Sequence, residues 1–243
     1  MPIIDCHAHF GPSPFPVAPH GVAEIEALMT RFGIDICFLA SSQALTGDLV
    51  GGNEALAEAI NNHGGLRGMV VINPNFVDVC LEEMRKYLYR PNFVAAKLHG
   101  ARHAQALTSE ETRALIVGLL RYDRPLFLHL RGAADIEPLQ ALAKEYPTCP
   151  IVIAEMGREA WRQVVGVAES CTNVHLECGG TWAEQDKIKY AAEAVGAHRI
   201  VFGSNLPLVH PVYGLGMVRD AGISPRDKDR ILHQNARKLF GIE

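Results

Sequence analysis

Short apolar runs recur along the chain at 3–6, 34–40, 66–73, 93–98, 126–130, 151–154, 174–178 and 200–203. Most are near-continuous Val, Ile, Leu, Ala and Phe, without the alternation of a sheet wetted on one side. Each therefore predicts a strand buried on both faces, as in a parallel sheet covered by helices. Between them lie segments with apolar residues at helical spacing: 22–32, 54–62, 77–89, 110–122, 136–146, 160–170 and 182–195. Eight strand–helix units predict a (β/α)8 TIM barrel rather than a doubly wound sheet, which usually has fewer strands. After the eighth strand Pro207, Pro211, Gly214, Gly216 and Gly222 break the pattern, which predicts mostly loop before a final helix at 225–240.

The 243 residues sit at the lean end for such a barrel, and no linker, charge block or low-complexity stretch divides them. One compact domain over 1–243 is expected. The proline-rich stretch 11–19 is the irregular segment, and in a barrel it falls on the rim after the first strand, where it would line or cover a pocket.

A barrel makes a demand on the sequence: its chemistry belongs at the C-terminal ends of the strands. Polar residues gather there in six of the eight runs, as His7 and His9, Lys97 and His99, His129 and Arg131, Glu155, Glu177, and Asn205. A charged side chain ending an apolar strand is costly unless it is paired, solvated in a pocket or bound to metal. His7 and His9 share a strand face, with Asp5 one step behind them. Two imidazoles so spaced suit one transition metal, and Asp5 would brace them. Taken alone, the pair fits surface or capping histidines equally well.

Composition narrows the function classes. The formal net charge is −4 and no Lys/Arg run occurs, which argues against a nucleic-acid surface. No apolar run approaches 18 residues, so no membrane span is expected. Six cysteines without a C-x-x-C pair read as reduced core residues of a cytoplasmic protein.

Asp5-Cys6-His7-Ala8-His9-Phe10, Lys97-Leu98-His99, Leu128-His129, 202–207 (FGSNLP) and 235–241 (NARKLFG) together carry a family resemblance. In that order and spacing they resemble the amidohydrolase superfamily, in its compact amidohydrolase-related branch of metal-dependent hydrolases and decarboxylases. The resemblance implies a (β/α)8 barrel, often dimeric, holding one divalent metal on His7, His9, a strand-five histidine (His129) and a strand-eight aspartate. Zinc is the first expectation, with manganese, iron or nickel as alternatives.

Two positions depart from that pattern. Asn205 stands where the family has aspartate, and Glu155 where it has histidine. An amide oxygen ligates weakly and takes no proton, so Asn205 removes the usual combination of ligand and base. Three readings follow. His7, His9, His129 and Glu155 bind the metal; or the three histidines bind it and Glu155 is the general base; or the barrel is a decayed, metal-free small-molecule binder. The first two predict hydrolysis of a small carboxylate-bearing amide, lactone or ester, with Glu155 and Asn205 at the chemistry. Non-oxidative decarboxylation is the alternative reaction. Lys97, Arg131 and Glu177 are the candidate substrate contacts, with Arg131 clamping a carboxylate and Lys97 pairing with Glu155 or with substrate. His99 and His210 read as exposed loop histidines.

Overall fold

The computed structural model describes residues 2–13, 16, 18 and 20–242. Pro14, Phe15, Val17 and Pro19 of the proline-rich stretch lie outside the described residues, so its expected place on the rim is left open. The strands are β1 (Ile4–Phe10), β2 (Ile36–Ser41), β3 (Leu66–Ile72), β4 (Phe93–His99), β5 (Leu126–His129), β6 (Ile151–Ile153), β7 (Val174–Glu177) and β8 (Ile200–Val201). They pair in parallel in sequence order from β1 to β8. The ring closes where Cys6 N donates to Phe202 O (2.9 Å), Asn205 N to His7 O (2.7 Å) and His9 N to Leu206 O (2.7 Å). The chain is a compact (β/α)8 TIM barrel. The near-continuous apolar runs are what both faces of such strands require, and almost every strand residue is buried.

The covering helices are α1 (Val22–Phe32), α2 (Ser42–Thr46), α3 (Leu49–Ala59), α4 (Val77–Tyr87), α5 (Gly100–His103), α6 (Glu110–Leu119), α7 (Ile136–Glu145), α8 (Trp161–Ser170), α9 (Lys187–Val195), α10 (Pro211–Asp220), α11 (Pro225–Asp229) and α12 (Asn235–Phe240). In α8 the buried residues are Trp161, Val164, Val165, Val167 and Ala168, one apolar stripe against the sheet. Each of the larger ones contributes roughly 1.5–3 kcal/mol by leaving water. Serine caps open several helices: Ser109 Oγ accepts from Thr112 N (3.1 Å) at α6, and Ser224 Oγ from Asp227 N (3.1 Å) at α11.

Two expectations are corrected. The stretch after β8 is not mostly loop, because 211–220 form a ten-residue helix. Pro211 is its first residue, where a missing N–H costs nothing, so the proline marks a start rather than a break. The third helix begins at Leu49, not at 54, with Asp48 accepting from Gly51 N (3.0 Å) as its cap. Gly52 inside it is required by packing, since a Cβ there would lie 2.3 Å from Ala44 N. All six cysteines are free and buried. Among the described residues no helix is long and apolar enough to cross a membrane.

Candidate active site

A cavity of about 550 Å³ opens where the C-terminal ends of the strands meet. His9, His99, His129, Glu155 and Asn205 line its inner part, and Arg102 and Arg158 its mouth. A cavity of similar size lies at the opposite end of the barrel, against Arg124, His175 and Phe240. There Arg124 Nη1 donates to Phe240 O (3.2 Å), closing the end of α12, and the lining includes Asp123, Arg124, Pro150 and His198, which precede strands rather than end them. The chemistry belongs to the first.

β1 builds the inner end. His7 Nε2 lies 3.2 Å from His129 Nε2, and His9 Nε2 lies 3.1 Å from Asn205 Oδ1. Asp5, behind them, is fully buried and does not enter the cavity. It accepts from His7 N (3.1 Å), Ser204 N (2.8 Å) and Ser204 Oγ (2.5 Å), fastening the end of β8 to β1. Burial pushes its carboxyl up to about 7 despite those donors.

Glu177 is the hub of the site. Its carboxylate accepts from His7 Nδ1 (2.9 Å), from Glu155 N (2.8 Å) and from Gly179 N. His7 therefore carries its proton on Nδ1 and keeps the Nε2 lone pair for the interior, the arrangement of a metal-ligating histidine backed by a carboxylate. Glu177 is wholly buried beneath the cavity and makes no part of its lining, so the structure does not bring it to a substrate.

Glu155 arrives by an unusual route. β6 ends at Ile153, and Glu155, Met156, Gly157 and Arg158 then all have positive φ (54°, 54°, 80° and 57°). Such left-handed runs are costly for residues with a Cβ and persist only where surroundings fix them. Here Glu177 accepts from Glu155 N, and Lys187 Nζ donates to Glu155 O (3.3 Å). Gly157 is packed so closely that a Cβ would meet Val164 at 2.5 Å. The turn presents the Glu155 side chain to Asn205, whose Nδ2 donates to Oε1 (2.8 Å). Burial, then the charge of Glu177, raise the Glu155 carboxyl to about 7.

The three histidines of the expected ligand set and Asn205 therefore stand together, with Glu155 bonded to the Asn205 amide. Among the described residues no three His, Cys, Asp or Glu side chains by themselves gather closely enough to hold an ion. The donors come instead as two pairs, His7 with His129 and His9 with Asn205. Two atoms bound about 2.1 Å from one ion stand about 3.0–3.4 Å apart, and both pairs have that spacing. Burial also drives the pKa of His7, His9 and His129 well down, leaving them in the neutral form that binds metal. In spacing and protonation each pair is suited to a divalent ion, without a single point on which all four donors are seen to converge.

Lys97 and Arg131 are placed otherwise than the sequence suggests. Lys97 Nζ is buried with no hydrogen-bond partner and no ion pair to Glu155, and it lies 4.8 Å from the centre of the Phe127 ring. Its pKa falls to about 7 through burial. Arg131 lies past the end of β5, so strand alternation no longer directs it, and Asp135 accepts from its Nε (2.9 Å) and Nη2 (2.5 Å). Neither lines the cavity.

His99, by contrast, is no exposed loop residue. It lines the cavity with its ring stacked on that of His129, 4.3 Å apart and 2° from parallel, and burial lowers its pKa to about 3. Its period-two spacing from Lys97 signals the same inward face. Arg102, Arg158, Thr181 and Leu208 have no such signal, because they sit past the strand ends, Arg102 in the short helix α5 and the others on turns and bends.

Comparison with known proteins agrees with this fold. No curated protein is significantly similar in sequence. Among solved structures, a 2,6-dihydroxybenzoate decarboxylase from Rhizobium superposes with a TM-score of 0.79 at 17% identity, covering 99% of this chain and 98% of that one. A 5-carboxyvanillate decarboxylase from Novosphingobium aromaticivorans, solved with manganese and 4-hydroxy-3-methoxy-5-nitrobenzoic acid, gives 0.79 at 16% identity, covering 98% and 96%. A probable 2-pyrone-4,6-dicarboxylic acid hydrolase from Acinetobacter baumannii gives 0.73 at 17%, covering 99% and 100%. The amidohydrolase family model matches residues 4–242, and the chain belongs to that family.

Proposed function

We propose that this protein is a metal-dependent decarboxylase of a flat, aromatic or unsaturated carboxylic acid. The observation that carries the proposal is the placement of Glu155. It lines the cavity, Asn205 Nδ2 occupies its Oε1, and Oε2 is left as the atom that can hold a proton toward the substrate, with burial favouring the protonated form. In non-oxidative decarboxylation the bond between the substrate carbon and its carboxylate breaks, CO2 leaves, and that carbon takes a proton. Glu155 Oε2–H supplies the proton, ends as a carboxylate and is reprotonated from solvent. Asn205 holds Glu155 in place and cannot itself titrate, so the acid role rests on one side chain.

The stacked His99 and His129 rings, with Leu130 and Leu208, make a flat and partly apolar wall suited to a ring. The hydroxybenzoate decarboxylases among the structural neighbours support the same substrate class. A divalent ion on His7, His9 and His129, beside Asn205 Oδ1, would supply the positive charge that holds the substrate carboxylate and draws off negative charge. Manganese, held by several of those neighbours, has more support than the zinc expected from sequence.

Lactone or ester hydrolysis, which the sequence places ahead, becomes the second reading. It is favoured by the neighbouring 2-pyrone-4,6-dicarboxylic acid hydrolase, and Glu155 would then act as carboxylate base toward water. The test loads purified protein with Mn(II) and offers 2,6-dihydroxybenzoate, 5-carboxyvanillate and 2-pyrone-4,6-dicarboxylate. CO2 release, with one deuterium entering the product ring in D2O and a loss of about 10²-fold or more in Glu155→Gln, supports the proposal. Ring opening of the lactone alone would replace it with hydrolysis. Protein that takes up no metal and turns over nothing would leave the binding-barrel reading.

A further inference from the structure

We infer that Arg158 is the residue that selects the substrate: it binds an anionic group remote from the reacting carbon, so the cavity takes dicarboxylates or their equivalents in preference to monocarboxylates. This deepens the reading of the site as one for small carboxylic acids.

Three observations carry it. The guanidinium stands at the mouth of the cavity, half exposed, at the outer end of a polar chain that runs from His9 through Asn205 and Glu155. A group on Arg158 is therefore set apart from one held at the histidines. Next, the fork is unsaturated. Its carboxylate neighbours are Glu155 Oε2 at 3.9 Å and Glu159 Oε2 at 3.7 Å, both too long for hydrogen bonds. Arg131 offers the contrast, since Asp135 already occupies its fork. An arginine with free N–H groups at a cavity mouth is the geometry for bidentate capture of a carboxylate. Finally, the backbone is built to put it there. Arg158 ends the run of four positive φ values, with ψ −122°, and that run is braced by Glu177, Lys187 and the close packing of Gly157. One strained turn thus aims Glu155 inward and Arg158 over the opening. Strain held at a site by this many contacts is the pattern of a functional turn.

The probes are isophthalate, a flat dicarboxylate, and benzoate, its single-carboxylate counterpart. Their affinities for the Mn(II)-loaded protein are measured by calorimetry, with no turnover needed. Isophthalate should bind at least tenfold more tightly than benzoate. Arg158→Gln should remove that preference while leaving benzoate affinity within about twofold. Arg158→Lys should restore only part of it, because an ammonium cannot form the fork. Glu159→Gln, which removes a competing carboxylate, should tighten isophthalate binding.

Equal affinity of the two probes for the unaltered protein would overturn the inference, and so would no binding of either at millimolar concentration. An isophthalate preference that survives Arg158→Gln would overturn it as well. A fall in affinity for both probes alike would make Arg158 a structural residue and have the same effect. Because the readout is binding, an Arg158-dependent preference stands even if the protein decarboxylates nothing, and an absent preference fails even if it does.

Discussion

Glu177 shows how much one side chain can hold. It fixes the proton of His7, anchors Glu155 through its backbone N–H and caps the start of the following loop at Gly179. Glu177→Gln keeps the shape but gives up one acceptor oxygen. Metal affinity, measured by chelator competition, should fall about 10–100-fold, the usual effect of losing a carboxylate behind a ligating histidine. Stability to urea should fall by about 1–3 kcal/mol. An unchanged metal affinity would show that His7 does not depend on Glu177. Gly180 makes a second test. Its φ is 83°, and a Cβ there would lie 2.4 Å from the Glu155 carboxyl. Gly180→Ala should displace Glu155 and lower kcat while the protein stays folded; retention of full activity would put the acid elsewhere. The sequence makes Glu177 visible as a charged strand end, but its role is set by what faces it across the barrel. That is why it reads there as a substrate contact. Glu155 is legible as a substitution and not as a geometry, because alternation stops at Ile153 and a left-handed turn takes over.

At the scale of elements, regular periodicity was readable and its interruptions were not. All eight strands stand where apolar runs predict them, because strands buried on both faces leave an unbroken signature. Two of the errors fall on proline and glycine; a third does not, since the helix expected from 182 begins at Lys187. Pro211 opens α10, and Gly51 and Gly52 lie inside α3, where Gly52 lets the helix approach α2. Neither requirement can be seen without the neighbouring element. Asn53, one residue on, explains why α3 must sit so close. It is fully buried; its Oδ1 accepts from Val71 N (3.0 Å), and its Nδ2 donates to Val71 O (3.1 Å) and Glu83 Oε2 (3.0 Å). One side chain thus joins α3, β3 and α4. Asn53→Ala leaves those buried groups unpaired and should cost about 2–4 kcal/mol in urea denaturation. A loss under 1 kcal/mol would mean that water or repacking replaces the amide.

For the molecule as a whole, the buried titratable groups set the response to acid. Burial lowers the pKa of six histidines among the described residues: His7, His9 and His129 well down, His99 to about 3, and His103 and His175 to about 4. Each favours the fold above the unfolded histidine value near 6.5, and its contribution is lost as pH falls toward its folded value. Four buried carboxyls act in the opposite sense. Asp5 and Glu155 are raised to about 7, Glu83 and Glu177 are raised as well, and they hold protons in the fold that the unfolded chain has released. Between about pH 5 and 6.5 the histidines outnumber them, so the unfolded state binds more protons and acid destabilises the fold. The slope is roughly 1.4 kcal/mol per pH unit for each net proton. The histidine contribution is complete only about a pH unit above 6.5. There Asp5 and Glu155 lose their protons, which costs stability, while Lys97, lowered to about 7 by burial, gives up a proton that the unfolded lysine keeps, which adds stability, and the opposing effects roughly offset. The metal-free protein should therefore show a urea midpoint that climbs from about pH 5 to about pH 7 and is nearly level above it. His175→Gln, at the far end of the barrel from the active site, should flatten the acid limb by about one proton's slope and leave the neutral plateau in place. A midpoint that stays constant from pH 5 to 7 would mean that water reaches these histidines and that the barrel interior is less dry than its packing indicates.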